Sequence, residues 1–118
     1  MQDKVNLAES LAKIDQLFSP RIVGRYNGNK LQVGKIRGEF VWHAHPDTDD
    51  FFLVVAGKLT IRLRDRDVEL GAGDLYVVPA GVEHCPVSEE GAEILLIEAD
   101  GTPNTGDSGV EAAPEIEL

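Results

Sequence analysis

Beyond Arg66 the sequence contains no lysine or arginine. All eleven basic residues lie in the first 66 positions, where eight acids leave a surplus of three positive charges. The other 13 acids stand without a basic partner in residues 67–118, and the net charge is −10. A chain that grips phosphate backbones needs a basic stripe, and a field of this sign repels polyanions, which argues against nucleic acid as a partner. Cysteine is scarce as well. Cys85 is alone, which excludes an internal disulfide and favours a reducing compartment. No apolar run approaches the roughly 20 residues of a membrane span, so no membrane partner is expected. The first residues, Met1-Gln2-Asp3-Lys4, lack the basic-then-apolar pattern of a secretory signal, and a soluble cytoplasmic protein is the expectation. What remains is ordinary: 118 residues, 42% hydrophobic and 27% charged. That is enough for one domain with a real core.

Periodicity divides the chain into a helical start and a β-rich remainder. Leu7, Leu11, Ile14, Leu17 and Phe18 recur at helical spacing behind Asn6, a suitable N-cap, and Ser19-Pro20 ends the pattern. From Ile22 onward, short alternating segments are separated by turn residues. Asn27-Gly28 is a strong hairpin signal. Further breaks are predicted at Gly57-Lys58, Asp65-Arg66 and Pro79-Ala80-Gly81, and "AEILLIEA" reads as a last buried strand. If the turn at Asp65-Arg66 needs positive φ, arginine there costs up to about 1 kcal/mol. Many short strands with frequent turns indicate an antiparallel sandwich or barrel. Residues 101–118 are acidic and rich in Gly and Pro, and read as a loosely docked or disordered tail. The expected division is a helix in 1–20, a β-barrel domain in 21–100 and the tail in 101–118.

Two segments carry the chain's only three histidines. In "GEFVWHAHPDTDDFFLVVAG", residues 38–57, strand alternation puts His43 and His45 on one face, with Trp42 and Ala44 opposite. Asp50 then opens a strand whose inward side carries Phe52 and Val54, and whose outward side carries Phe51, Leu53 and Val55. Such an apolar outer face needs a cover, and a second subunit or the N-terminal helix is available. A homodimer is expected on this ground. In "GDLYVVPAGVEHCPV", Pro79 ends a strand and Gly81 turns the chain toward His84. Cys85, next in sequence, alternates to the opposite face and reads as a packing residue. Arg25, Arg37, Arg62 and Arg64 lie on strand-like segments, mostly as surface positions, although one reaching into the barrel would suit an anionic substrate.

The two segments read Gly38-x4-His43-x-His45-x4-Asp50-x6-Gly57 and Gly73-x5-Pro79-x-Gly81-x2-His84. They resemble the two signature motifs of the cupins, small jelly-roll β-barrels. More narrowly, the chain is similar to short single-domain bacterial cupins of the cupin-2, or mannose-6-phosphate isomerase-like, type. The likeness runs from about Ile22 to Asp100, and the preceding helix and "NTGD" at 104–107 also look like that subgroup. The resemblance implies an all-β fold, a small antiparallel jelly-roll barrel with one N-terminal α-helix. It also implies a metal held by His43, His45, the residue at position 50 and His84. Three positions depart from the motif pattern: four residues, not five, separate Gly38 from His43; Ser88 stands where asparagine is common; and Asp50 replaces glutamate. The aspartate reaches about 1.5 Å less far. Direct ligation, ligation through water and a three-histidine site all remain open, with Asp49 and Asp47 as less well registered substitutes.

Neutral imidazoles with one carboxylate suit a divalent first-row metal: zinc, iron, manganese, nickel or copper. Without clustered thiolates, a closed structural zinc site is disfavoured. Three or four protein ligands leave a position open for water, dioxygen or a substrate oxygen. The expectation is therefore a metalloenzyme acting on a small oxygenated substrate, dioxygenase-like or resembling a sugar isomerase or epimerase. The alternative is a non-catalytic module that holds a metabolite or metal in the same barrel.

Overall fold

The computed structural model describes residues 3–118. Its elements are one helix, α1 (Leu7–Ala12), and seven strands: β1 (Arg21–Tyr26), β2 (Asn29–Glu39), β3 (Asp50–Leu63), β4 (Asp67–Gly71), β5 (Leu75–Val78), β6 (His84–Ala99) and β7 (Ile116–Glu117). Asn27 and Gly28 both take positive φ, 48° and 76°, as a two-residue type I′ turn requires, and Tyr26 faces Asn29 across the hairpin. The sheet runs β4-β3-β6-β2-β1-β7, with β5 pairing β3. Only β1 and β7 run parallel; the other pairings are antiparallel. This is the expected all-β jelly-roll with one N-terminal helix.

Two glycines let the sheet fold over on itself. Gly57 in β3 has φ +83°, and a Cβ there would stand 2.2 Å from the carbonyl oxygen of Gly91 in β6, itself at φ +110°. The β3–β6 register slips at this bend. Gly57 therefore kinks one 14-residue strand. Likewise "AEILLIEA", read as a last strand of its own, is the second part of the 16-residue β6, which bends at Gly91. The fold-over encloses Ile36, Phe52, Val54, Leu59, Ile61, Leu70, Val78, Ala92, Ile94 and Leu96. Burying a side chain of this size contributes about 1.5–3 kcal/mol. At Asp65-Arg66 the chain turns without positive φ, closed by Leu63 N–H donating to Arg66 O at 2.7 Å, so arginine is unstrained there.

The helix is shorter than its apolar pattern. Asn6 caps it, accepting from Glu9 N at 2.9 Å, a contact worth about 1 kcal/mol. Beyond Ala12 the bonds tighten to i→i−3, Lys13 N to Ser10 O and Ile14 N to Leu11 O. Ile14 still packs inward with Leu11 and Val33, and Val55 and Leu95 of the outer sheet face join them. Leu17, by contrast, is exposed. Phe18 takes φ 55° and turns the chain so that its N–H reaches Lys35 O at 2.9 Å. The helix thus covers part of the apolar outer face. Leu75 and Val77 on β5 stay exposed, beside Leu53 and Phe51, their register partners on β3.

Residues 101–118, expected to be loose or disordered, are held by discrete contacts. β7 adds to β1. The buried Lys30 ammonium donates to Thr102 O at 2.6 Å and Glu115 Oε1 at 2.9 Å. Around Ala44, Asp107 Oδ1 accepts from Ala44 N at 2.7 Å, and Asp107 N donates to Ala44 O at 3.0 Å. Gly106 makes this approach possible, since a Cβ would lie 2.4 Å from Ala44 O and 2.9 Å from the His43 ring. The segment clasps the peptide between the two neighbouring histidines.

Gly57→Ala should destabilise the protein by about 2–4 kcal/mol in chemical denaturation, combining left-handed strain with a backbone clash. Gly28→Ala, where a Cβ meets nothing within 4 Å, should cost only about 1 kcal/mol; equal losses would show that the bend needs no close approach. Asp107→Ala should cost about 1–2 kcal/mol and speed amide exchange at Ala44. Unchanged exchange would mean that the clasp is not held in solution.

Candidate metal centre

His43 lies outside the long strands, in a single antiparallel bridge to His84, the first residue of β6. Each donates its backbone N–H to the other's carbonyl, at 3.0 and 2.9 Å. The turn after β5 secures the same region. Gly81, at φ +80°, donates its N–H to His45 O at 2.9 Å, and Asp49 Oδ1 accepts from Ala80 N at 2.9 Å. Asp49 is therefore engaged in a turn, and Asp47 is exposed. Asp50 opens β3 with its side chain inward. One donor atom each from His43, His45, Asp50 and His84 lies within 4.8 Å of the others, and all four residues are buried.

The hydrogen bonds set the state of each ring. His43 Nδ1 lies 2.8 Å from Val41 O, and His84 Nδ1 2.9 Å from Val82 O. A carbonyl only accepts, so both Nδ1 atoms carry a proton and Nε2 of each ring is left turned into the cluster. Burial pushes the His43 pKa down to about 4, keeping that ring neutral at pH 7. His84 Nε2 stands 3.3 Å from Asp50 Oδ2, and His45 Nε2 3.2 Å from the same oxygen. Both nitrogens of His45 and Oδ1 of Asp50 are buried without a hydrogen-bond partner. For His45, burial acts downward, but Asp50, Glu98 and Asp107 outweigh it and raise the pKa. Burial acts to raise Asp50; His45 and His84 hold it below the ordinary value. Acceptors converging in a dry site are costly unless a cation or proton lies among them. The donor set fits a divalent metal, with tautomers fixed by carbonyls as metal-binding histidines require.

One residue of the site went unrecognised in the sequence. Glu98, near the end of β6, is buried, with Oε2 3.3 Å from His45 Nε2 and Oε1 accepting from Gln32 Nε2 at 3.0 Å. Burial, then the charge of Asp50, lifts its pKa to about 7. Strand alternation carried the signal, because Ile94 and Leu96 point inward and Glu98 follows in step.

Beside the cluster lies a cavity of about 40 Å³, room for two or three waters by the rule of about one probe sphere each. Phe18, Ile36, Phe40, Phe52, Ile94 and Leu96 make its apolar walls, and His43, Asp50 and Glu98 its polar end. Phe18 and Phe40 stack at 5.1 Å, and Phe40 meets the His43 ring edge-on at 5.5 Å. The one lysine on its wall, Lys35, sends its ammonium to Ile14 O at 2.7 Å. No arginine of the strand segments enters. Arg25 pairs with Asp100 and Glu117, Arg64 binds Glu83 and covers the Trp42 ring at 3.8 Å, and Arg37 and Arg62 are exposed. Cys85 faces away, toward Glu39 and Phe40 O; burial raises its thiol to about 11, so it packs and does not attack.

Residues 30–98 match the model of the cupin domain family Cupin_2. A cupin-2 domain-containing protein from Shewanella frigidimarina superposes with a TM-score of 0.79 at 41% identity, covering 80% of this chain and 93% of that one. The Bacillus subtilis protein YdbB is 31% identical over 71% of this chain and 73% of its own length. The 3-hydroxyanthranilate 3,4-dioxygenase of Yarrowia lipolytica is 25% identical over 85% of this chain, which spans 63% of that protein. With the barrel, both motifs and this likeness in agreement, the chain belongs to the cupin family as a small cupin-2 domain protein.

Proposed function

We propose that the protein is a metal-dependent enzyme of the dioxygenase type acting on a small, uncharged, oxygenated organic molecule, with His43, His45, Asp50 and His84 as metal ligands. The observation that carries this reading is the convergence of buried acceptor atoms, two of them on rings whose Nδ1 protons are fixed by Val41 O and Val82 O. A bound divalent metal supplies Lewis acidity and a position for a substrate oxygen or dioxygen. The chain's own residues supply the rest. Phe18 and Phe40 wall off water, and Asp50 brings the negative charge that balances the cation. The cavity wall offers no free cation, which argues against sugar phosphates and thus against a phosphosugar isomerase. Similarity to the Yarrowia dioxygenase, across 85% of this chain, supports oxygen chemistry. We place the protein in the cytoplasm, where its free Cys85 stays reduced, and as a homodimer that buries the Leu75, Val77, Phe51 and Leu53 face.

Purified protein should carry about one divalent transition metal per chain, and His43→Ala and His84→Ala should lose most of it. Sub-stoichiometric metal, unchanged by these substitutions, would overturn the metal reading. Iron, copper, nickel or manganese with oxygen uptake on small hydroxylated compounds would support the dioxygenase. Zinc without oxygen uptake would favour a non-catalytic binding module. Light scattering at micromolar concentration should give the dimer mass, and a monomer mass defeats that assignment.

A further inference from the structure

Taking the metal centre above as its premise, we infer that Glu98 is an additional protein donor, whose Oε2 compensates for the short side chain at position 50. Glu98 enters from β6, a different strand from Asp50, and its side chain is 3% exposed. Gln32 occupies Oε1 at 3.0 Å, so the oxygen left over is Oε2. That oxygen lies 3.3 Å from His45 Nε2, matching the 3.2 Å of Asp50 Oδ2 from the same nitrogen. Neither contact has hydrogen-bond geometry, since His45 Nε2 has no such partner. Two carboxylates thus face one imidazole from different strands; Glu98 borders the group of four whose donor atoms lie within 4.8 Å of one another, and a small shift of its side chain would bring Oε2 onto a cation held there.

Charge balance points the same way. Lys30 stands opposite Glu98 in the β2–β6 register, yet its ammonium turns to Thr102 O and Glu115. Among the described residues no lysine or arginine forms an ion pair with Glu98 or Asp50. Burying two carboxylates with only histidines between them is unfavourable, and a divalent cation offsets both. Three imidazoles and two carboxylates give five donors, which leaves one place for substrate at a six-coordinate metal.

Calorimetric titration of the chelator-treated full chain with Co²⁺, alongside its visible spectrum, tests the assignment. Glu98→Gln keeps the bond to Gln32 feasible, and should weaken Co²⁺ binding at least about tenfold and change the spectrum. Glu98→Asp, with the oxygen drawn back about 1.5 Å, should also weaken it, which guards against misfolding of the first variant. Asp50→Glu combined with Glu98→Gln should regain most of the affinity, because the longer side chain restores the reach. A Glu98→Gln protein with wild-type affinity and spectrum, while His84→Ala loses binding, would overturn this assignment and leave the metal centre standing. A wild-type chain that binds no Co²⁺ would overturn both.

Discussion

The paired backbone hydrogen bonds between His43 and His84 are the closure on which the site depends. Residues that exchange both bonds in an antiparallel pair project their side chains to the same side of the sheet. Two histidines distant in sequence are thus placed side by side before any side-chain interaction acts, with ring centroids 4.3 Å apart. Each ring is then turned by the carbonyl two residues before it, Val41 O and Val82 O. The bridge lies in a segment without regular strand support, so other contacts must fix it. Gly81 holds His45, Asp49 ties the turn after β5, and Asp107 clasps Ala44. Loss of any one frees a loop that the long strands do not restrain.

Inside that frame the electrostatics run against folding. Four histidine or carboxylate groups and Glu98 are withdrawn from water, with imidazole nitrogens and carboxylate oxygens 3.2–3.3 Å apart. The apolar floor of Phe52, Ile94 and Leu96 lowers the local dielectric and sharpens the conflict. Sites strained in this way persist when the surrounding structure over-determines them and a ligand relieves them. The bent strands β3 and β6, locked where Gly57 meets Gly91, supply the rigidity. A divalent cation among these groups would offset the cost.

What was legible in the sequence was local. Alternation and turn chemistry, which act over a few residues, pointed to an antiparallel sandwich or barrel, and the resemblance carried by the histidine spacing, the glycines and the Pro79-Ala80-Gly81 turn implied the jelly-roll. Glu98 escaped notice because it ends an apolar strand, where an acid looks like a solvent-facing terminus; only its step with Ile94 and Leu96 betrays it. The helix was drawn too long since 3₁₀ bonds keep Ile14 on the apolar face after the α-helix has ended. Residues 101–118 read as disordered from composition, yet their partners, Ala44 and Lys30, lie far away in sequence. Composition carries no information about such pairings.

The segments before β1 and after β6 meet beside the cavity that borders the histidine cluster. Phe18, outside the barrel strands, stacks on Phe40 at the cavity wall, and Asn104 Nδ2 lies 3.5 Å from Phe18 O. The same C-terminal segment, three residues later, holds the peptide between His43 and His45. A barrel cut at residues 21–100 retains every histidine, Asp50 and Glu98, but loses one aromatic wall and the clasp. The span 21–100 therefore supplies the donors, from its strands and from the segment between β2 and β3, while the flanking segments add enclosure and orientation. The enclosure of the cluster thus extends beyond the barrel strands, to Phe18 on one side and Asp107 on the other.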